Sequence, residues 1–357
     1  SNIQIVNLYY LCPMRFLLFP FSLLYGLIVT VRNFLFDWNV FKSKSYNIPI
    51  ICVGNITAGG TGKTPHTEYL LELLSDKKTA VVSRGYGRKS SGLIWVKTES
   101  DSEKVGDEPL QIKQKFPNIT VVVSENRRLG IENILKKYPK TEVILMDDGF
   151  QHRWVKAGLN IILNNYNNPI YSDYLLPYGT LRESENAVKR ADVIITTKCA
   201  EISPTEKRGI ISKLNTCASE HNYFSSIVYQ NWKSVFTGKE IDTPNNYNIT
   251  LVTSVANADN LKHHLQKNGN KITHLSFPDH HNFTTKDIEN ILSEYNSSIS
   301  DKNIILTTEK DKVKLLKYKE HFEGVELYFS PIKINIHNSE EFKNEIINYV
   351  TKHKRKC

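Results

Sequence analysis

The 357 residues are 40% hydrophobic and 23% charged, enough apolar material for more than one core, which excludes disordered, collagen-like and porin-like chains. Lys plus Arg number 46 against 37 Asp plus Glu, and the resulting net charge of +9 predicts an anionic partner without choosing among phosphate, nucleic acid and an acidic membrane face. The five cysteines, Cys12, Cys52, Cys199, Cys217 and Cys357, are scattered and form no CxxC pair, so free thiols are expected rather than a disulfide framework or a zinc ribbon.

The mean hydropathy of −0.36 conceals an apolar start. From Phe16 to Val31 the chain reads FLLFPFSLLYGLIVTV with no charge. Crossing a bilayer takes about 20 apolar residues, so this stretch is short for a span. Pro20 sits early, where it kinks a longer helix or starts a shorter one. Ser22, Gly26 and Thr30 recur every fourth residue and predict a small, weakly polar stripe facing a neighbouring helix or the protein body. Arg15 and Arg32 bracket the stretch at the level of headgroups. Residues 1–45 are therefore read as a membrane-associated segment, with spanning or lying in the interface left open. A buried helix of a soluble core is the plain alternative. A cleaved signal peptide is disfavoured because no small-x-small site follows.

Next comes IPIICVGNITAGGTGKTPHTEYLLELL. Ile48–Val53 predicts a strand buried on both faces, followed by a glycine-rich loop and a helix opened by Thr64 and Pro65. Strand, loop, Gly-Lys-Thr and helix are the context of a phosphate-binding loop, comprising Thr57, Ala58, Gly59, Gly60, Thr61, Gly62, Lys63 and Thr64. The glycines let backbone N–H groups surround a polyphosphate, Lys63 reaches the terminal phosphates, and the Thr64 hydroxyl suits Mg²⁺. The strict pattern wants glycine at 57, where threonine stands. Thr79–Ser83, Ile119–Ser124, Leu159–Leu163 and Asp192–Thr197 predict further strands alternating with helices, hence a parallel sheet. Glu142–Met146 predicts another, ending in Asp147-Asp148, carboxylates placed as such folds place Mg²⁺ ligands.

Residues 221–236 predict one or two extended strands, and 237–246 a turn or hinge. A second alternating series follows, with strands at Ile249–Ser254, Lys271–Phe277 and Asn303–Thr307 and helices at Ala258–Lys267 and Lys286–Tyr295. The expected organisation is a phosphate-loop kinase domain over 46–220, an extended linker over 221–247 and a smaller α/β domain over 248–357. Thr308-Glu309-Lys310-Asp311 only superficially resembles a guanine-reading N-K-x-D, since Lys and Asp are adjacent, so ATP is expected. The tail residues Lys352, Lys354, Arg355 and Lys356 suit solvent, or a weak pull toward anionic headgroups of about 1 kcal/mol each.

Taken together, VGNITAGGTGKTP, SRGYGR, VGDEP, DDGFQH, LPYGTLRE, RADVIITTK, FPDHHNFT and TTEKDKVK resemble the tetraacyldisaccharide 4′-kinases, the lipid A 4′-kinases of Gram-negative bacteria. The strings run in that family's order, and its loop also lacks the first glycine. The resemblance implies ATP-dependent phosphorylation of the 4′-hydroxyl of a tetraacylated disaccharide 1-phosphate, the lipid A precursor, at the cytoplasmic face of the bacterial inner membrane. It implies that Lys63 and Thr64 hold phosphate and Mg²⁺ with Asp147 and Asp148, that Asp107 takes the proton from the sugar hydroxyl, and that His280 pairs with Asp107. Arg127, Arg182 and Glu183 match residues placed around the phosphates and metal, with Arg128 standing beside Arg127. Without the resemblance, Asp107 reads as a helix cap and the His280-His281 pair as surface. If Asp107 and His280 meet, the expected organisation puts them in different domains that close on a hinge.

Two other functions compete. A membrane-associated ATPase switch of the partition or septum-site type also carries GGxGKT, but its loop has lysine before the two glycines, where Ala58 stands. A nucleic-acid-binding NTPase has only the net charge in its favour, spread along the chain with no recognised motif, so no nucleic-acid partner is expected.

Overall fold

The structure, a computed structural model, describes residues 13–214, 221–297 and 302–353. Cys12, Cys217, Cys357, Lys354, Arg355, Lys356 and the side chain of Arg15 lie outside the described residues. In chain order the strands are β1 (Ile50–Gly54), β2 (Thr79–Ser83), β3 (Ile94–Trp95), β4 (Thr120–Val123), β5 (Val143–Asp147), β6 (Leu159–Asn165), β7 (Val193–Thr197), β8 (Asn222–Tyr229), β9 (Trp232–Ser234), β10 (Glu240–Ile241), β11 (Asn248–Thr253), β12 (Lys271–Ser276), β13 (Asn303–Thr308), β14 (Leu327–Ser330) and β15 (Ile332–Ile336). The helices that matter here are α1 (Phe19–Asp37), α2 (Lys63–Leu73), α3 (Asp107–Lys115), α4 (Arg127–Lys137), α5 (Glu309–Leu315) and α6 (Ser339–Lys352). The fold is mixed α/β with parallel sheets and an apolar helix near its start, as its alternating apolar runs predict.

By compactness the chain divides into two units, each built from separate stretches. One comprises the described residues of 1–63, 148–226 and 336–357. Its strands β1, β6, β7 and β8 pair side by side and all parallel. β1 and β7 are buried along their whole length, which is why they read as unbroken apolar runs rather than as alternation. α6 belongs here too, and the Tyr349 hydroxyl donates to the Ile50 carbonyl at 3.1 Å.

α1 lies in the same unit and docks by one face. Ser22 Oγ donates to the Leu175 carbonyl (3.0 Å) and accepts from Tyr178 N (2.9 Å), the Tyr25 hydroxyl donates to the Arg182 carbonyl (2.9 Å), and Asn33 Nδ2 donates to Glu183 Oε2 (2.7 Å). Gly26 faces Leu175 so closely that a Cβ there would sit 2.7 Å from its Cδ1. Ser22 and Gly26 thus face the body as expected, but Thr30 is exposed. A four-residue spacing overshoots one helical turn by about 40°, so the third member of the stripe rotates away. Arg32 corrects a second expectation, because its Nη2 donates to the Gln151 carbonyl (2.5 Å) and the side chain faces the body rather than headgroups. On the opposite face Leu24, Leu27, Ile28 and Val31 are exposed at the i, i+3, i+4, i+7 spacing of a single stripe.

The other unit comprises the described residues of 64–147 and 227–335. In it β5, β2 and β4 are parallel, with β3 antiparallel on β4. A second sheet runs β10-β9-β14-β13-β11-β12, parallel from β14 to β12. Within 221–247 the chain forms β8, β9 and β10, the last two antiparallel across a turn closed by Gly238 N donating to the Ser234 carbonyl (3.0 Å). Because β13, β11 and β12 are parallel neighbours, the chain leaves all three at one edge, which gathers Ser254, His280 and the start of α5.

Candidate active site

The loop between β1 and α2 is held from inside by Asn55, a fully buried side chain. Its Nδ2 donates to Thr61 Oγ1 (2.8 Å), and its Oδ1 accepts from Lys63 Nζ (3.4 Å). Thr197, at the end of β7, donates its hydroxyl to the Thr61 carbonyl (3.0 Å). Gly59, Gly60 and Gly62 have φ of 86°, 36° and 89°, backbone that side chains resist, so the loop curls without clash. Ala58, Gly59 and Gly60 are exposed. Threonine fits at 57 because the chain there is extended: Thr57 bridges Leu181, Ala58 N donates to the Thr180 carbonyl (2.7 Å), and Arg182 N to the Ile56 carbonyl (2.6 Å).

That zipper delivers Arg182 and Glu183. Arg182 Nη1 lies 3.1 Å from Asp148 Oδ1, and Lys63 Nζ 3.6 Å from the same oxygen, so one carboxylate faces both Arg182 and the loop lysine. Asp148 sits at φ 50°, an uncommon conformation for a residue with a side chain. Glu183 is buried; its Oε2 takes Arg190 Nη2 (2.5 Å) and Asn33 of α1, while Oε1 is buried with no hydrogen bond among the described residues. Asp147 ends β5 fully buried, accepting from Thr67 Oγ1 (3.1 Å). These are hard oxygen donors of the kind Mg²⁺ takes. No group of three or more His, Cys, Asp or Glu suited to a metal occurs among the described residues. Arg127, at the first turn of α4, is buried and donates from Nη1 to the Glu125 carbonyl (3.2 Å), whereas Arg128 is half-buried.

Asp107 and His280 meet inside the second unit. His280 Nδ1 lies 3.3 Å from Asp107 Oδ2. Asp107 does not cap its helix, as its local sequence suggests; Gly106, at φ 90°, holds the N-cap position of α3. A Cβ on Gly106 would meet Gly85 Cα at 3.1 Å, so the VGDEP and SRGYGR segments approach backbone to backbone and set Asp107 at its angle. The Tyr86 ring lies 5.0 Å from that of His280. Lys310 Nζ is 3.3 Å from His280 Nε2; ammonium only donates, so Nε2 accepts and Nδ1 carries the proton given to Asp107. Lys314 Nζ lies 3.1 Å from the same Oδ2. Burial alone would push the Asp107 carboxyl up, but the bond from His280 and the charges of Lys314 and Lys310 outweigh it and hold it below the usual carboxylate value. Both contacts fall on Oδ2, and Oδ1 carries no hydrogen bond from the described residues.

The helix bearing Asp107 is braced at its far end. Lys115 Nζ reaches Glu68 of α2 (2.7 Å) and Glu309 of α5 (3.3 Å), and Gln111 Nε2 donates to Glu68 (2.8 Å). Burial, then the nearby Glu309, raises the Glu68 carboxyl against the opposing pull of Lys115. Sequence reasoning missed Asn55, Ser254, Lys310, Asp311, Lys314 and Glu68. Three of them stand in the string TTEKDKVK, to which the resemblance assigned no role.

A buried strand, a glycine-rich loop opening a helix at Lys63-Thr64, and carboxylates at a second strand's end are the features of a phosphate-loop nucleotide-binding protein. The profile of the family described as tetraacyldisaccharide-1-P 4′-kinase matches residues 14–351, and the chain belongs to that family. A tetraacyldisaccharide 4′-kinase of Bacteroides fragilis (strain YCH46) is 43% identical over 352 residues, covering 95% of this chain and 94% of the relative. One from Flavobacterium psychrophilum is 41% identical over 346 residues, covering 94% and 97%. Among solved structures, LpxK from Aquifex aeolicus in complex with ATP superposes with a TM-score of 0.74 at 29% identity, covering 94% of this chain and 99% of that one. The family match leaves the partition-type switch without support.

Proposed function

We propose that the chain transfers the terminal phosphoryl group of ATP to the 4′-hydroxyl of a tetraacyldisaccharide 1-phosphate, and that Asp107 is the base. The observation that carries the base assignment is the Asp107 carboxylate: two donors hold Oδ2, and Oδ1 is left to accept. A sugar hydroxyl is a weak nucleophile, and a carboxylate within hydrogen-bond reach assists it. The hydroxyl gives its proton to Asp107 Oδ1, its oxygen bonds to phosphorus, and the bond from that phosphorus to the bridging oxygen breaks, releasing ADP. His280 holds the carboxylate in place and stabilises its charge until the proton arrives. Thr57–Thr64 cradle the polyphosphate with backbone N–H groups, and Lys63, Arg127 and Arg182 offset its negative charge. Thr64, Asp147, Asp148 and Glu183 would hold Mg²⁺, which supplies charge neutralisation on the phosphate oxygens.

The membrane reading rests on α1. Its polar face is bonded to the body from Ser22 to Asn33, about 16 Å of helix, so crossing a bilayer would drag Arg182, Gln151 and Glu183 into hydrocarbon. A helix docked on one face and apolar on the other lies in the interface, which brings the kinase to a lipid substrate at the cytoplasmic face of the inner membrane. Leu24→Glu/Leu27→Glu/Ile28→Glu should lower partition onto anionic vesicles at least about 100-fold, because three buried apolar contacts of about 1.5–3 kcal/mol each are lost. Unchanged co-sedimentation would sink the interfacial assignment.

The deciding assay mixes γ-labelled ATP with the lipid A disaccharide precursor. Label on the lipid supports the kinase; ATP hydrolysis that ignores the lipid would reject it.

A further inference from the structure

The site contains a buried lysine that the reaction as described does not use. Lys314 is only 2% exposed, and lysines are seldom buried unless their charge is matched. Its ammonium has three acceptors for three N–H groups: Ser254 Oγ at 2.9 Å, Asp107 Oδ2 at 3.1 Å and Asp311 Oδ1 at 3.4 Å. Asp311 is already well served, since Ser254 N and Thr308 Oγ1 each donate to its Oδ2 at 2.8 Å and Ser254 Oγ bonds its Oδ1. A purely structural ion pair would be complete with Asp311 and Ser254. Asp107 is the third partner, brought from the first turn of α3.

We infer that Lys314 is a positioning residue for phosphoryl transfer: its ammonium keeps the Asp107 carboxylate charged and anchors Oδ2, so that Oδ1 is the oxygen presented to the sugar hydroxyl. This rests on Asp107 being the base. Lys310 and Lys314 lie one turn apart on the same face of α5 and serve the two halves of the pair, Lys310 on His280 Nε2 and Lys314 on Asp107. The balance of charge explains why Lys314 matters more to Asp107. Lys310 is countered by Asp279 at 3.0 Å and Glu108 at 4.0 Å, both closer to it than any contact it makes with Asp107. Lys314 faces Asp107 and Asp311, so it is the shared cation of two buried carboxylates. His280 completes the surroundings of Asp107, with Tyr86 packed on the imidazole.

The test uses Lys314→Met, which keeps the length and removes the charge, and Lys314→Met/Asp311→Asn, which also removes the buried charge left behind. Asp107 is followed by ¹³C carboxyl NMR, its resonance identified by its loss in Asp107→Asn, and kcat and KM for ATP are measured across pH. In the unsubstituted protein the carboxyl should stay ionised through the neutral range. In both variants its titration should move up by at least about one pH unit, the acid limb of kcat should move with it, and kcat at neutral pH should fall about tenfold or more with KM for ATP little changed. If the double variant recovers stability and kcat together and the Asp107 titration has not moved, Lys314 is only structural and the inference is overturned. If the titration moves but the acid limb stays, Asp107 is not the base and Lys314 loses its part in transfer, an outcome distinct from the first.

Discussion

Lys63→Ala is expected to lower kcat by about 10²–10³-fold, the largest loss available from a single side chain at the phosphate loop. The ammonium is placed by Asn55 Oδ1 at 3.4 Å and by Asp148 Oδ1 at 3.6 Å, and it lies at the first position of α2, where the helix adds partial positive charge. Of the contacts that shape the loop, the one from Lys63 Nζ to the buried Asn55 Oδ1 is lost. Asn55 to Thr61, Thr197 to the Thr61 carbonyl, and the pairing of 56–58 with 180–182 all remain. Asp148 keeps Arg182 at 3.1 Å, so no buried carboxylate is stranded. The fold should therefore survive, with a melting temperature close to that of the parent, while turnover collapses. Lys63→Arg should not restore turnover, because a planar fork cannot reproduce a compact charge at the end of a flexible stem. Transfer of label from ATP to lipid, with melting curves beside it, checks both statements. A kcat within tenfold of the parent would remove Lys63 from the reaction.

The loop was readable in the sequence because everything that makes it is local: a buried run of β-branched residues, three glycines, then Lys-Thr at a helix start. The strands were readable for the same reason, since burial on both faces leaves a continuous apolar stretch, and most predicted boundaries fall within a residue or two of the observed ones. What escaped depends on contacts between distant segments. Threonine at 57 departs from the strict pattern; the resemblance accommodates it, and the pairing with Leu181 gives the physical reason. Asp107 has the local sequence of a cap, and only the close approach of Gly85 and Gly106 explains why the side chain turns elsewhere. Lys310 and Asp311 stand in a string that only superficially resembles N-K-x-D, and neither spacing nor resemblance gave them or Lys314 a role, yet Asp311 and Lys314 are buried. Ser254, the group that ties them together, lies 60 residues from Lys314 and has no signature of its own. Resemblance pointed to Asp107 and His280, which lie 3.3 Å apart; it said nothing about the lysines beside Asp107.

Asp107→Asn should lower kcat by about 10²–10⁴-fold while ATP affinity stays near that of the parent. The substitution keeps the shape of the side chain and its place on α3, but an amide is not a base at any pH in the working range. The variant also reports on stability. The Asp107 carboxyl is held below its ordinary value in the folded protein, so its contribution is present above the unfolded value of about 3.9 and is lost as pH falls through the folded one. At neutral pH, Asp107→Asn removes a negative charge from Lys314 and His280 and should therefore melt lower than the parent. On acidification the parent's carboxyl takes up a proton and the two melting temperatures should converge. Urea unfolding at a series of pH values tests that sign, and divergence at low pH would contradict it. The kinetic outcome separates the chemistry from simple hydrolysis: the proton that Asp107 removes belongs to the acceptor hydroxyl, so the loss must appear in transfer to lipid. If transfer to lipid persists at near the parental rate in Asp107→Asn, the hydroxyl finds its base elsewhere, and the close contact between Asp107 and His280 serves the fold rather than the reaction.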